Sequence, residues 1–123
     1  MIIIDTSALV ESFSGLAGAG RALRSLIDSG ERIVLPSIVL YEWLRGPRRE
    51  QELALQEEIF PSEEAVPFGA AEARRAAALY RSMGRARGRE IDLAIAAVAL
   101  VRDASLWTLN RADFEDIPDL RLV

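Results

Sequence analysis

Short runs of apolar, largely β-branched residues alternate along this chain with stretches of helical period, and the runs lead into polar residues. Met1 to Ile4 reads as a buried strand entering a polar turn at Asp5. Ser7 to Phe13 reads as a helix, residues 14 to 20 as a glycine-rich loop, and Arg21 to Asp28 as a helix stopped by Gly30. Arg32 to Leu35 is a second apolar strand. Ser37 is placed to cap a helix over Ile38 to Leu44, which Gly46 and Pro47 close. Residues 48 to 60 suit a further helix, Glu64 to Pro67 an edge strand, and Ala70 to Met83 an alanine-rich helix with Ala76, Leu79, Tyr80 and Met83 on one face. Ile91 to Val101 is too apolar all round for a surface helix and is expected to be buried. Leu106 to Leu109 is a strand followed by Asn110, Asp113 lies in a short turn, and Leu120 to Val123 is a last edge strand.

Strands separated by helices imply a parallel sheet, because parallel neighbours need a crossover and that crossover is usually a helix. The expected fold is α/β: one domain over residues 1–123, three layers deep, with helices on both faces of a mostly parallel sheet of four to five strands.

Composition narrows the chemistry. The chain has no Cys and no His, and all 15 basic residues are Arg. Disulfides, thiolate metal sites, Ser-His-Asp triads, histidine-bound zinc and lysine Schiff bases are therefore excluded. Carboxylates, hydroxyls, Arg, backbone groups and a bound metal remain. A net charge of −4 argues against coating nucleic acid through an overall basic surface, although local Arg clusters could guide a strand. No apolar run is long enough for a membrane span or a signal peptide, so a cytoplasmic location is expected.

In open α/β sheets ligands bind beyond the carboxyl ends of the strands. There the first strand ends at Asp5, Thr6 and Ser7, the second leads through Ser37 into the helix bearing Glu42, and the strand at Leu106 to Leu109 ends at Asn110. Asp92 joins them at the head of the buried helix. Carboxylates gathered on one rim repel one another unless a cation neutralises them, and Mg²⁺ or Mn²⁺ suits carboxylate and water oxygens. Each residue also has a plainer reading. Asp5 could form a turn or cap a helix, Glu42 could lie on a solvated face, Asp92 could complement a helix dipole, and Asn110 and Asp113 could stabilise a turn. The Arg residues divide in the same way. Arg45, Arg48 and Arg49, or Arg81, Arg85, Arg87 and Arg89, could bind phosphates or pair with nearby Glu; the loop holding Arg85, Arg87 and Arg89 is the better candidate because it leads into Asp92.

The ordered set Ile3-Ile4-Asp5-Thr6-Ser7-Ala8, Tyr41-Glu42 followed by Arg45-Gly46, Asp92-Leu93-Ala94-Ile95-Ala96-Ala97, and Thr108-Leu109-Asn110-Arg111-Ala112-Asp113-Phe114 resembles the PIN-domain family, in particular the VapC-type toxins of bacterial toxin-antitoxin pairs. The resemblance spans essentially the whole chain. It implies a magnesium-dependent endoribonuclease with Asp5, Glu42 and Asp92 at the family's acidic positions and Thr6 and Ser7 at its supporting hydroxyls. Asn110 stands where many members carry a fourth acid, with Asp113 three positions later, so either could complete the site. It further implies an antitoxin partner covering the active-site groove and a toxin homodimer. Two other readings compete: a PIN-like module that only binds a partner, and an aspartate-based phosphatase or phospho-acceptor domain. The second lacks the nearby second Asp and the later Lys that such families use.

Overall fold

The computed structural model describes residues 1–14 and 18–123; the middle of the glycine-rich loop expected at 14–20 lies outside the described residues. Ile2–Ile4 forms strand β1, Ile33–Val34 β2 and Ser105–Trp107 β3, in the order β2-β1-β3 with both pairings parallel. The register sets Ile3 opposite Val34 on one side and Leu106 on the other. β1 is therefore central, and its all-Ile sequence follows from burial on both faces.

The expected four to five strands reduce to three. Residues 64–67 and 120–123 each contribute a single parallel bridge, Pro36 to Val66 and Leu106 to Leu122. At the first edge the chain winds into a 3₁₀ turn over Ser62–Glu64 and meets Pro67 directly after the bridge, where no N–H is available to continue the ladder. At the second edge Pro118 and Asp119, the latter with φ of 65°, turn the chain just before Leu122.

Two helices, α1 (Thr6–Phe13) and α2 (Ala19–Asp28), connect β1 to β2. Four more, α3 (Ser37–Arg45), α4 (Glu50–Ile59), α5 (Ala70–Ser82) and α6 (Glu90–Val101), connect β2 to β3. Ser37 does not cap α3. Pro36 occupies the cap in an extended conformation, Ser37 is the first helical residue, and its N–H donates to the Val66 carbonyl at 2.8 Å, which makes the edge bridge. On α5 Leu79 is buried but Tyr80 faces solvent, so the apolar face is narrower than its spacing suggests.

Every residue from Leu93 to Ala99 in α6 is buried, but the ends of the stretch expected to be buried are not: Ile91 and Val101 are 40% and 41% exposed. Its alanines let α5 approach closely, and the pair is tied by Arg102, whose Nη1 donates to the Glu72 carboxylate at 3.1 Å. Trp43, fully buried on α3, packs edge-on to Phe13 with ring centroids 5.7 Å apart. Its indole N–H donates to Gln56 Oε1 at 3.2 Å, and the Gln56 amide in turn donates to the Phe60 carbonyl at 2.8 Å. One side of the molecule is thereby stitched from α1 through α3 to α4.

Candidate active site

Asp5 follows the last residue of β1, and its N–H donates to the Trp107 carbonyl at 2.9 Å, so the sheet itself fixes its backbone. It occupies the N-cap position of α1 in an extended conformation, yet its side chain makes no capping bond. The carboxylate is turned elsewhere. Ser7 Oγ and Thr108 Oγ1 both donate to Oδ2, at 2.9 and 2.7 Å. Both hydroxyls are themselves oriented from behind: Ser7 accepts the Leu109 N–H and Thr108 accepts the Asn110 N–H, each at 3.0 Å. Asp5 is 4% exposed, and among the described residues its other oxygen, Oδ1, has no donor.

One helical turn along α3, Glu42 points back at the start of α1. Thr6 Oγ1 donates to Oε1 at 2.6 Å, and Arg45, also beside the Tyr41 ring, donates to Oε2 at 3.2 Å. Asp92 stands in the first turn of α6, with no hydrogen-bond or ion-pair partner among the described residues. Burial and then the charges of Asp5, Asp113 and Glu42 push its carboxyl from the ordinary 3.8 up to about 6, Arg89 partly opposing them. Asp5, Glu42 and Asp92 thus face one open cleft of about 740 Å³, together with Thr6, Ser7, Asn110 and Glu11. A larger hollow of about 870 Å³ between α1, α2 and α4 is lined by Phe13, Leu23, Ile27 and Leu55, with Arg21, Arg24 and Asp28 as its charged groups; none of the three candidate acids lines it.

The acids share a cleft without forming a ready-made cage, since among the described residues no three of them stand close enough to hold one ion directly. Mg²⁺ keeps several waters and needs only one or two carboxylates. The hard oxygen donors, the open Oδ1 of Asp5 and the unpartnered Asp92 fit such an ion, while both oxygens of Glu42 are already engaged.

The PIN domain family profile matches residues 2–120. The chain belongs to the PIN domain family. Ribonuclease VapC19 of Mycobacterium tuberculosis is 38% identical over 128 residues, covering 98% of each chain. Ribonuclease VapC1 of Methanocaldococcus jannaschii is 31% identical over 132 residues, covering 98% of this chain and 84% of its own. A crystal structure of DNA-bound VapBC from Salmonella typhimurium superposes with a TM-score of 0.81 at 23% identity, covering 99% of this chain and 96% of that one; the likeness is one of fold.

Within this PIN domain the remaining candidates separate. Asn110 lines the cleft and its N–H is committed to Thr108, whereas Asp113 is exposed and acts on Asp92 through its charge. Arg85 and Arg87 are exposed, but Arg89 is held by Asp116. Sequence reasoning missed two residues. Thr108, read as part of a strand, directly follows β3 and anchors Asp5 from this neighbouring strand, the same strand-end position that marks Asp5. Glu11 lines the cleft and lies four residues after Ser7, a helical spacing that could have shown it.

The lifted carboxyl of Asp92 has a consequence for stability. Folded Asp92 binds its proton more tightly than the unfolded chain does, so between pH 3.8 and about 6 the native state carries the extra proton and loses stability as pH rises through that window. After allowance for solvent screening the penalty above the window is on the order of 1–2 kcal/mol. Asp92→Asn is expected to be more stable than the parent by that margin at pH 8 in chelator-containing buffer, and equal to it near pH 3.5. Urea titrations at the two pH values check this; equal stability at both would refute it.

Proposed function

We propose that this PIN domain is a magnesium-dependent endoribonuclease, the toxin of a toxin-antitoxin pair, with Asp5, Glu42 and Asp92 as its catalytic acids. The observation that carries the reading is the single cleft into which three different elements bring these carboxylates. Family membership and relatives named as ribonucleases support the reaction class, and structural neighbours named VapBC support a protein partner.

Bound at Asp5 and Asp92, with Mn²⁺ as an alternative, Mg²⁺ would polarise a phosphoryl oxygen and lower the pKa of a coordinated water. The chain's own residues do the rest. Ser7 and Thr108 hold Asp5 in one rotamer, so its free oxygen is presented without reorganisation. Thr6 orients Glu42, and Arg45 keeps it from repelling its neighbours. The exposed Arg85 and Arg87 lie on the loop leading into α6, where a strand's phosphates could be met. An antitoxin protein would bind over the cleft, a second copy of the chain would complete a homodimer, and the site of action would be the cytoplasm. Among the described residues no helix is long and apolar enough to cross a membrane.

Purified protein is expected to cut single-stranded RNA with Mg²⁺, to stop with EDTA and to resume when Mg²⁺ is returned in excess. Undiminished cutting in EDTA would refute the mechanism. Two observations favour a second reading, a PIN module that only binds a partner: both oxygens of Glu42 are taken up within the protein, and Asn110 offers no charge. Titration with Mn²⁺ separates the two, since a pure binding module would show no saturable uptake.

A further inference from the structure

Arg89 precedes Asp92 by three residues and belongs to the basic loop expected to contact phosphate. Its guanidinium is committed differently. Nη1 and Nη2 donate to the two carboxylate oxygens of Asp116 at 2.8 and 2.6 Å. Nη2 also donates to the Asp113 carbonyl at 2.8 Å, and Nη1 to the Arg85 carbonyl at 2.9 Å. Only 19% of the side chain is exposed. A planar fork gripping both oxygens of one carboxylate fixes orientation as well as distance, which a lysine cannot do. To bind a phosphate Arg89 would have to leave all of these partners.

The fork joins two stretches of chain. One is the turn into α6, whose first helical bond runs from the Leu93 N–H to the Arg89 carbonyl at 2.9 Å and whose first turn carries Asp92. The other is the segment after β3, which carries Asn110 and Asp113. That segment is anchored in the core by Phe114 and Ile117, 1% and 3% exposed, but Asp113 and Asp116 lie on its outer side. Apart from the fork, the two acids are held only indirectly, through the backbone turns from Asn110 to Ile117 that Phe114 and Ile117 anchor. Among the described residues the only other ion pair or hydrogen bond made by a side chain of this segment is that of Arg111 to the Val123 carbonyl.

Building on the nuclease reading above, we infer that Arg89 is a positioning residue: by clamping Asp116 and the Asp113 carbonyl it sets the spacing between Asp92 and the segment 110–116, and so the geometry offered to the cation. Asp116, remote in sequence and exposed, is thereby drawn into the function of a site it does not line.

The test compares the full chain with Arg89→Ala, Arg89→Lys, Asp116→Ala and the double alanine variant. Three readouts are followed: Mn²⁺ binding without RNA, kcat and KM for RNA cleavage, and hydrogen exchange of the Asp113, Phe114 and Glu115 amides. Arg89→Ala and Asp116→Ala should each weaken Mn²⁺ binding and lower kcat by about 10-fold or more, with KM changed by less than about twofold. The double variant should be no worse than either single one, because one clamp is lost in all three. The three amides should exchange faster in both single variants, and Arg89→Lys should not restore the parent behaviour. A phosphate-binding Arg89 would instead raise KM in Arg89→Ala alone, leave Mn²⁺ affinity and exchange unchanged, and be indifferent to Asp116→Ala; that pattern overturns the inference. A parent protein that takes up no Mn²⁺ would overturn the nuclease reading instead, and the exchange comparison would still decide whether the clamp exists.

Discussion

Asp5→Asn is expected to lower RNA cleavage by roughly a thousandfold, the scale on which losing one preorganised electrostatic contact acts in an active site. The substitution is nearly isosteric, and the new amide oxygen can still accept from Ser7 and Thr108, which meet Asp5 on one oxygen only. The surrounding hydrogen bonds therefore survive while the charge goes. The variant should melt within a few degrees of the parent and bind Mn²⁺ poorly, so folding and metal uptake are measured beside cleavage. A folded Asp5→Asn protein that cuts RNA within a few-fold of the parent would remove Asp5 from the mechanism. Ser7→Ala and Thr108→Val form the natural companion series, because they release the carboxylate without altering its charge.

The largest effect on stability is expected at Trp43. Truncation to Ala empties the centre of the contacts among α1, α3 and α4, and large aromatic deletions of this kind cost about 3–5 kcal/mol. Three further losses accompany the cavity: the edge contact with Phe13, the partner of Gln56 Oε1, and the ring beneath Arg48, whose guanidinium lies 4.4 Å from the Trp43 centroid. Trp43→Phe separates these contributions. It retains most of the volume but orphans the buried Gln56 oxygen, which costs about 1–3 kcal/mol. Guanidinium unfolding of the two variants should rank them in that order; equal midpoints would show that volume is not what this position supplies. Glu42 is the residue before Trp43, so loosening the core here should also impair the cleft.

How far the sequence revealed this molecule depends on whether the controlling interaction is local. The all-Ile β1 and the middle of α6, Leu93 to Ala99, are legible because burial on every side leaves no polar residue in the pattern. The parallel α/β arrangement follows from their alternation with helices. The edges are not legible, because 64–67 and 120–123 carry strand-like residues whose pairing is cut short by Pro67 and by the turn at Pro118 and Asp119. Ser37 has the composition of a cap, but the competing partner of its N–H, Val66, lies 29 residues further on. At the cleft, Asp5, Glu42 and Asp92 can be nominated as candidates from their places after strands and at helix starts, and so can Ser7 beside Asp5, whereas, with Leu106 to Leu109 read as one strand, the second hydroxyl that holds Asp5 cannot. The hydroxyl of Thr108 reaches it across 103 positions. Arg89 shows the same limit, since a basic loop looks alike whether its guanidinium groups await a ligand or are already locked to Asp116.

That reach from Thr108 back to Asp5 has a bearing on how such a chain is made. A ribosome emits the Asp5 carboxylate 103 positions ahead of the hydroxyl that steadies it, with β3 arriving just before that hydroxyl. A nascent or prematurely terminated polypeptide would therefore carry the acids without the scaffold that aims them. The cleft would be assembled only once β3 has emerged and paired with β1.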